Sequence, residues 1–331
     1  MLKLKYLFEN FDLAKKCMEF YECDMDSVDE MLQYFRISSI AIYPFRSKMG
    51  GRICFLRLSP VEEKKLDDVK SEICLMEWLI DKGFPAMRPV PMKDGKLFGQ
   101  INTEWGTYNV SCFEKVSGNS LEDTKGTLQI VKGYGKTLGK LHALMKEYPY
   151  SEERRNHKML LCEIEERMQK YGASEIVRKE FEDVRKELES LPLSTSDYGV
   201  IHYDFETYNV FYDYKEESFI VIDFDDAICC WYALDVVRAL DALDEVIEDV
   251  SMEEAIASFL EGYRRATSFA EEQQQSMMLM RRFVQLQEYT TLLHVVSESV
   301  ENMPDWMSNL RQKLKCKIRR LEESMNAGVT D

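Results

Sequence analysis

Two short apolar runs, separated by a turn and each continuing into acidic residues, constrain this chain more than any other feature. The segments read IHYDFETYNV at residues 201–210 and IVIDFDD at residues 220–226. Short runs rich in β-branched and aromatic residues, bounded by polar residues, are typical of β-strands, and two of them in succession predict a hairpin. The pairing would bring Asn209 and Asp223 to the same edge of the hairpin.

The residue types of this pair point to phosphoryl transfer. That reaction has a loose transition state, so catalysis consists mainly of positioning and charge neutralisation. Asp204 is predicted to accept a hydrogen bond from an acceptor hydroxyl and to take its proton late, because a carboxylate of pKa about 4 is a poor base for an alcohol. Asn209 and Asp223 offer the hard oxygen ligands that Mg²⁺ requires. Residues 202–209 form the predicted catalytic loop, and His202 is predicted to anchor this loop by hydrogen bonding to the backbone.

A second candidate group lies nearer the N terminus. The strand-like run FLRL at residues 55–58 carries Arg57, and the helical pattern that follows contains Glu72. In kinases, a strand lysine contacts the phosphates and pairs with a helix glutamate. Arg57 and Glu72 are therefore predicted to form an ion pair beside the phosphates of ATP or GTP, since arginine can hold phosphate in a bidentate manner. The alternative is a plain surface arginine.

The charge balance narrows the class of partner. The chain has 43 basic and 59 acidic residues and a formal net charge of −16. Nucleic-acid-binding proteins present basic surface, so we expect no nucleic-acid partner. An acidic surface suits cationic substrates, although it also serves solubility alone.

The apolar segments and cysteines indicate the compartment. No stretch approaches the roughly 18 apolar residues of a membrane span, and residues 1–8 lack the apolar run of a signal peptide. The nine cysteines are scattered without a C-x-x-C pair, as in reduced cytosolic proteins. We expect a cytoplasmic protein with no membrane partner.

Periodicity and turn signals predict an α+β chain with two parts. Residues 1–117 are predicted to form a nucleotide-binding lobe, and residues 118–331 a helical catalytic and substrate lobe. Capping-box spacing occurs at Ser27–Glu30 and Ser251–Glu254. Strands are predicted in 37–58 and 86–117, and helices in 8–36, 61–82, 128–145, 159–190, 231–250, 252–267 and 272–325, the last broken at Pro304.

The catalytic loop, the IDFD segment and the sequence LGKLH at residues 138–142 resemble the aminoglycoside phosphotransferase/choline kinase superfamily, specifically its bacterial phosphotransferase enzymes, over roughly residues 37–265. The resemblance implies a bilobal protein-kinase-like fold, with a small β-rich N-lobe, a large helical C-lobe and ATP or GTP between them. It further implies that the strand containing Glu114 and Val116 meets the nucleotide base, and that Asp235 braces the catalytic loop. Tyr203 departs from the Gly often found there, and Glu206 from the His.

The acceptor is predicted to be a small molecule. A protein kinase needs a long activation segment ending in A-P-E after the metal-binding Asp, whereas helical pattern resumes here within about eight residues of Asp223. Carboxylates near the loop favour an amine-bearing acceptor, and an aromatic ring can bind a cation. An aminoglycoside, an amino alcohol, homoserine or a sugar-like metabolite is therefore a candidate acceptor.

Two alternative functions stay open: a compact bacterial Ser/Thr protein kinase and a catalytically silent nucleotide-binding regulatory protein. The predicted acceptor contacts are Glu206, Asp225, Asp226 and Trp231.

Overall fold

The computed structural model describes residues 10–37, 41–149, 154–297 and 305–328. These residues form two compact units. The first unit runs to Ser120 and takes in Tyr208–Asp225, and the second consists of Leu121–Thr207 and the chain from Asp226 onward. Strands dominate the N-terminal part and helices the C-terminal part, which confirms the predicted α+β class.

The first unit is built on a five-stranded antiparallel sheet of order β1-β2-β3-β5-β4. Strand β3 lies in its middle and pairs Arg57 with Ile42 of β2 on one side and with Ser111 of β5 on the other. The sheet comprises β1 (Arg36–Ile37), β2 (Ala41–Arg46), β3 (Ile53–Pro60), β4 (Phe98–Thr103) and β5 (Gly106–Glu114). Helix α3 (Leu66–Asp81) follows β3 and buries Glu72 together with its apolar face.

A small sheet of order β6-β8-β9 completes the first unit. Strands β8 (Val210–Asp213) and β9 (Ser218–Val221) form a hairpin, and β8 also pairs with β6 (Asn119–Ser120). The backbone of Val221 is hydrogen-bonded to Pro85 and to Met87, at 2.8 and 2.9 Å. Through these bonds the segment 208–225 belongs with the first unit. The predicted division at residues 117/118 placed this segment in the second part, because it follows that boundary in the sequence.

The second unit is mainly helical, with one strand pair. Strands β7 (Tyr198–Ile201) and β10 (Ile228–Trp231) are antiparallel, with Ile201 opposite Ile228. Helix α7 begins directly after β10. The helices are α4 (Leu128–Met145), α5 (His157–Tyr171), α6 (Glu175–Glu189), α7 (Tyr232–Asp241), α8 (Met252–Arg264), α9 (Glu271–Gln275), α10 (Met277–Val296) and α11 (Asp305–Gly328).

Several predicted helices are shorter than expected. The segment 159–190 is two helices, because Gly172 adopts φ +79° and ends α5, a conformation that terminates helices. Within the predicted helix 8–36, the described residues 10–36 contain two α-helices, α1 (Phe11–Met18) and the one-turn α2 (Val28–Met31), which lies between 3₁₀ turns. The predicted break at Pro304 lies outside the described residues.

The two predicted capping boxes have different outcomes. At α8, the Ser251 side chain accepts from the Glu254 N–H and the Glu254 carboxylate accepts from the Ser251 N–H, as predicted. The box at Ser27 is wrong: this hydroxyl donates to the Asp24 carbonyl instead. None of the helices in the described ranges has the length and apolar character of a membrane span.

Candidate functional site

The backbone of the catalytic loop is held by a single carboxylate of the second unit. Asp235, in the first turn of α7, accepts hydrogen bonds from the N–H groups of His202 at 2.8 Å and Tyr203 at 2.7 Å. It also lies 3.0 Å from Nε2 of His142, and both of these side chains are fully buried. Because buried polar groups must be paired, this set of bonds fixes the start of the loop relative to α7.

His142, of the LGKLH segment, is a structural histidine. Burial lowers its pKa despite the adjacent Asp235, so the ring is neutral near pH 7. Its Nε2–H then donates to Asp235, and the Tyr263 hydroxyl, 2.7 Å from Nδ1, donates to the ring. Gly139, three residues earlier, sits where an added Cβ would meet the Tyr263 carbonyl oxygen at 2.5 Å, which accounts for the glycine in this segment.

The loop itself takes an unusual backbone conformation at Tyr203. This residue has φ +73°, in the left-handed region that costs a non-glycine residue roughly 1–2 kcal/mol. That geometry explains why glycine suits this position of the motif. The buried ring of Tyr203 lies 4.7 Å from the Arg238 guanidinium. Next to it, the Asp204 N–H donates to His202 Nδ1 at 3.3 Å.

Two carboxylates of the loop share one arginine. Nη1 of Arg238 lies 2.8 Å from a Glu206 carboxylate oxygen and 3.6 Å from a carboxylate oxygen of Asp204. Burial and the neighbouring Asp204 charge raise the pKa of Glu206, whereas Arg238 opposes the rise. Between the two acids, the Phe205 carbonyl accepts from the Tyr134 hydroxyl at 2.7 Å. The loop therefore places two acidic side chains beside the guanidinium of Arg238.

The first unit contains a second charged cluster. Arg57 on β3 and Glu72 on α3 form a buried ion pair of 2.5 Å, with side chains only 6% and 1% exposed. A second guanidinium nitrogen of Arg57 is 3.7 Å from the Asp223 carboxylate. Burial opposes the charge of Arg57, but the neighbouring carboxylates, Glu72 foremost, raise its pKa. The residues predicted as an ion pair are thus brought together, and the pair reaches a predicted metal ligand.

Lys64 joins the same cluster. Its Nζ lies 2.9 Å from the Asp225 carboxylate and 3.6 Å from that of Glu72. Asn109 fixes its backbone by donating to the Lys64 carbonyl at 2.7 Å. Burial alone would raise the pKa of Asp225, but Lys64 and then Arg57 hold it well below its ordinary value. Asp225, predicted to contact the acceptor, is therefore paired with a lysine.

The predicted metal ligands lie at the open end of the β8–β9 hairpin. The Ile222 N–H donates to the Asn209 carbonyl at 3.0 Å, so Asn209 lies across from the residue preceding Asp223. Asp223 has φ +62°, which aspartate tolerates better than most residues, and its side chain is 36% exposed. The amide oxygen and the carboxylate are hard donors of the kind that Mg²⁺ takes, so these residues fit a magnesium ion.

The remaining predicted contacts have ordinary structural partners. Trp231 is a correction: its side chain is buried, its indole N–H donates to the Pro192 carbonyl at 3.0 Å, and its ring packs on His157. The position of Trp231 in a short apolar run is typical of a core residue of a strand, and this explanation was at least as strong as that of an acceptor contact. The carboxylate of Asp226 lies 3.7 Å from Arg155.

The strand predicted to meet the nucleotide base is β5 and its continuation. Glu114, the last residue of β5, forms an ion pair with Arg52 on the adjacent β3 side of the sheet. Val116 follows two residues later and is partly exposed. The role of both residues at the base stays a prediction.

Sequence reasoning missed Lys64 and Arg238. Lys64 stands in the charged run VEEKK at residues 61–65, which indicates only a solvated helix start. The sequence does contain a signal for Arg238. This residue follows Asp235 by three positions on α7, and residues at that spacing lie on the same face of a helix. A basic residue on the face that braces an acidic loop is a candidate partner for its carboxylates.

Residues 48–275 match the sequence profile of the phosphotransferase enzyme family, abbreviated APH. The chain belongs to this family. The match covers more than half of the sequence and includes the catalytic loop, the IDFD segment and the LGKLH helix, which confirms the resemblance of these segments to the phosphotransferase superfamily.

Relatives within and around the phosphotransferase family share the fold. Amicoumacin kinase of Bacillus subtilis (strain 168) is 24% identical over 197 residues, which are 59% of this chain and 58% of that protein. The chain thus spans less than two thirds of this curated relative. A solved structure of amicoumacin kinase hAmiN with AMP-PNP, Ca²⁺ and Ami has a TM-score of 0.77 at 18% identity and covers 97% of this chain and 95% of its own. The microcompartment-associated aminopropanol kinase has a TM-score of 0.71 at 19% identity, with coverages of 96% and 98%.

Proposed function

We propose that this protein transfers the γ-phosphate of ATP, with Mg²⁺, to a hydroxyl group of a small molecule that also carries an amine. The observation that carries the proposal is the contact of buried Arg57 with both the buried Glu72 and the partly exposed Asp223. This contact brings Arg57, a cation suited to binding phosphate, close to Asp223, a carboxylate suited to binding a metal ion. Membership of the phosphotransferase family supports the same chemistry.

The loop residues supply the acceptor side of the reaction. Asp204 orients the acceptor hydroxyl by accepting its hydrogen bond and receives the proton as the new bond to phosphorus forms. Asp235 keeps the loop backbone in place through its two N–H contacts. Such positioning, rather than strong basicity, is what a loose phosphoryl transition state demands.

The hairpin and β3 supply the donor side. Asn209 and Asp223 would hold Mg²⁺, which neutralises phosphate charge when bound. Arg57 would contact the phosphates while Glu72 fixes the guanidinium. Glu114 and Val116 would meet the nucleotide base through the backbone, as the family resemblance implies, and such contacts allow either ATP or GTP.

The course of the chain after Asp223 favours a small acceptor over a protein. Strand β10 begins at Ile228 and α7 at Tyr232, so the continuously described stretch 223–232 leaves no room for a peptide-binding activation segment. Asp204 and Glu206 lie beside the guanidinium of Arg238, and acidic side chains at the loop favour an acceptor that carries an amine. The aminopropanol kinase among the structural relatives is named for an amino alcohol.

A transfer assay tests the proposal directly. Purified protein with ATP and Mg²⁺ is offered amino alcohols, aminoglycosides, homoserine, a neutral polyol and a generic protein, and phosphorylated products are detected by mass spectrometry. Transfer to at least one amine-bearing alcohol is expected, with Asp204→Asn lowering kcat by about 10²–10⁴-fold. Asp223→Asn should raise the Mg²⁺ concentration needed for half-maximal rate.

Asp241→Asn serves as the control, because Asp241 is an exposed residue of α7 paired with Arg281. Full activity of Asp204→Asn would contradict the assigned role of the loop. Nucleotide binding without transfer to any acceptor would favour a silent regulatory protein, and protein phosphorylation at a rate rivalling that of small alcohols would favour a protein kinase.

A further inference from the structure

Two acids of the IDFD segment each lie beside one basic residue of the first unit. Nη1 of Arg57 is 3.7 Å from the Asp223 carboxylate, and Nζ of Lys64 is 2.9 Å from that of Asp225. Both cations approach the same carboxylate oxygen of Glu72, at 2.5 and 3.6 Å. The segment that contains a proposed metal ligand is therefore attached at two points to the stretch of chain from β3 to α3, all within the first unit.

Lys64 is held at its backbone and at the end of its side chain. Its N–H donates to the Pro60 carbonyl at 3.1 Å, and its carbonyl accepts from the Asn109 side chain at 2.7 Å. Its Nζ donates to the carboxylate of Asp225 at 2.9 Å and to the backbone carbonyl of the same residue at 3.3 Å. Lys64 therefore binds the main chain of the IDFD segment as well as one of its charges.

The backbone at Asp223 needs support from its neighbours. This residue has φ +62°, a left-handed conformation that a non-glycine residue keeps only where the surrounding structure holds it. On the N-terminal side, the Ile222 N–H donates to the Asn209 carbonyl at 3.0 Å. On the C-terminal side, the two bonds from Lys64 fix Asp225. The conformation that presents the Asp223 carboxylate is thus held from both directions along the chain.

We propose that Lys64 is a positioning residue for the metal ion, because by holding Asp225 it fixes the backbone that presents the Asp223 carboxylate. The inference rests on the proposed function, in which Asn209 and Asp223 hold Mg²⁺. Groups that orient a metal ligand without touching the metal change metal affinity or activity by about 10–100-fold when they are replaced. Lys64 would thus act on the metal through two residues of backbone, whereas Arg57 contacts the phosphates.

Charge and position predict opposite effects of replacing Lys64. A nearby ammonium group repels a metal ion, and its removal leaves the Asp225 carboxylate to attract one. If Lys64 acted through its charge alone, Lys64→Met should therefore strengthen metal binding. If Lys64 holds the segment, metal binding should weaken although a repelling charge has been removed. The direction of the change separates a positioning role from a purely electrostatic one.

Calorimetric titration with AMP-PNP measures that direction without any acceptor or turnover. The Kd of AMP-PNP in EDTA, divided by its Kd at saturating Mg²⁺, gives the contribution of the metal ion to binding. Lys64→Met should lower this ratio by about 10-fold, towards the value for Asp223→Asn. An unchanged or raised ratio in Lys64→Met would overturn the proposal, and a wild-type ratio of one would overturn the metal site together with it.

Hydrogen exchange of the protein without nucleotide or metal tests the attachment itself. In Lys64→Met, the Ile222 amide should exchange about 10-fold faster relative to the amides of β3, because the segment that follows it is released. Asp225→Asn keeps the bond from Lys64 to the backbone carbonyl, so its increase should be smaller. Lys96→Met is the matched control, because Lys96 pairs with Asp94 at an exposed position of the same unit, and its exchange should equal that of the wild type.

The exchange measurement separates this proposal from the proposed function. Thermal melting of every variant reports folding, and if Lys64→Met fails to fold, the exchange of Ile222 in Asp225→Asn decides. Exchange equal to that of the wild type in the folded variants would refute the role of Lys64, whatever the activity. Faster exchange and a lowered Mg²⁺ ratio, in a protein that phosphorylates no acceptor, would support the role of Lys64 and refute only the proposed transfer.

Discussion

At the scale of single residues, each unit contains acids among the candidate site residues that are buried or largely buried and that have an assigned partner. Asp235 binds the loop backbone, Glu72 binds Arg57, and Asp225 binds Lys64. Burial of a carboxylate destabilises the folded state unless the group is paired and hydrogen-bonded. Each partner is therefore needed both for stability and for the position of the acid. Replacing one member of such a pair should therefore lower the free energy of unfolding more than replacing one member of an exposed pair.

Asp235→Asn should destabilise the protein by about 2–4 kcal/mol. An asparagine cannot accept from both backbone N–H groups, and its amide NH₂ would face a donor. The free energy of unfolding from urea titration, followed by circular dichroism, measures the loss. The exposed Asp241 on the same helix provides the comparison, and Asp241→Asn should cost less than about 1 kcal/mol. Equal stability of the two variants would contradict the bracing role of Asp235.

Lys64→Met and Asp225→Asn should be strongly non-additive, with a coupling free energy of about 0.5–3 kcal/mol. Their side chains are only 11% and 16% exposed, whereas those of the exposed pair Lys96 and Asp94 are 72% and 52% exposed. A double-mutant cycle on the latter pair should give a clearly smaller coupling free energy, because solvent screens an exposed ion pair. Additive effects at Lys64 and Asp225 would show that their contact contributes nothing.

The contribution of the Lys64–Asp225 pair to stability should depend on pH. The pKa of Asp225 is held below its ordinary value by Lys64 and Arg57 against burial. Its stabilising contribution is therefore full above the pKa of an unfolded aspartate, about 3.9, and is lost as the pH falls through the lower folded pKa. Lys64→Met should reduce this acid-dependent part of the unfolding free energy.

At the scale of elements, helices α4 and α8 approach each other through glycines. An added Cβ at Gly135 would meet the Phe259 carbonyl oxygen at 2.0 Å, and one at Gly262 would meet the Lys132 carbonyl oxygen at 1.9 Å. Such distances are far inside van der Waals contact, so the helix backbones touch where these residues lie. This packing places His142 of α4 against α7 and its Asp235.

Gly262→Ala should therefore force α4 and α8 apart and destabilise the protein by about 1–3 kcal/mol or more. Gly172→Ala tests a glycine without a clash: φ there is +79° and nothing lies within 4 Å of an added Cβ, so only backbone strain of about 1–2 kcal/mol applies. Thermal and urea unfolding compare the two variants. A smaller loss for Gly262→Ala than for Gly172→Ala would show that the helix pair tolerates separation.

At the scale of the whole molecule, the net charge of −16 affects the approach of charged ligands. Negative charge attracts a cationic acceptor over long range, and salt screens that attraction with a Debye length of about 10 Å at 0.1 M. The same surface repels nucleotide, so the donor cluster needs its own cations, Arg57 and Lys64. The two substrates are thus expected to respond to salt in opposite senses.

The KM of an amine-bearing acceptor should rise by about two- to tenfold between low salt and about 0.3 M salt at saturating ATP and Mg²⁺. A neutral polyol acceptor of similar size, assayed in parallel, should show little change. Initial-rate kinetics at several ionic strengths give both values. An equal salt response of the two acceptors would mean that the charge of the chain serves solubility rather than recognition.

The sequence by itself determined the fold class and the family, because strand periodicity and the order of His202, Asp204, Asn209 and Asp223 are local properties of the chain. The roles of these residues in the catalytic loop stay predictions. The sequence also predicted the Arg57–Glu72 pair, since a strand and the next helix are close in sequence. The bounds of α4 followed in the same way from the spacing of its apolar residues.

Only the tertiary structure decided which acids have cations as partners. Lys64 meets Asp225 from 161 positions away, and Arg238 meets Glu206 from 32 positions away. Trp231 is in the core for the same reason: strand pairing with β7 sets its face. Local patterns carry no information about such long-range contacts, because they depend on how distant segments pack. The motif therefore indicates phosphoryl transfer, while packing determines which basic residues lie beside its acidic side chains.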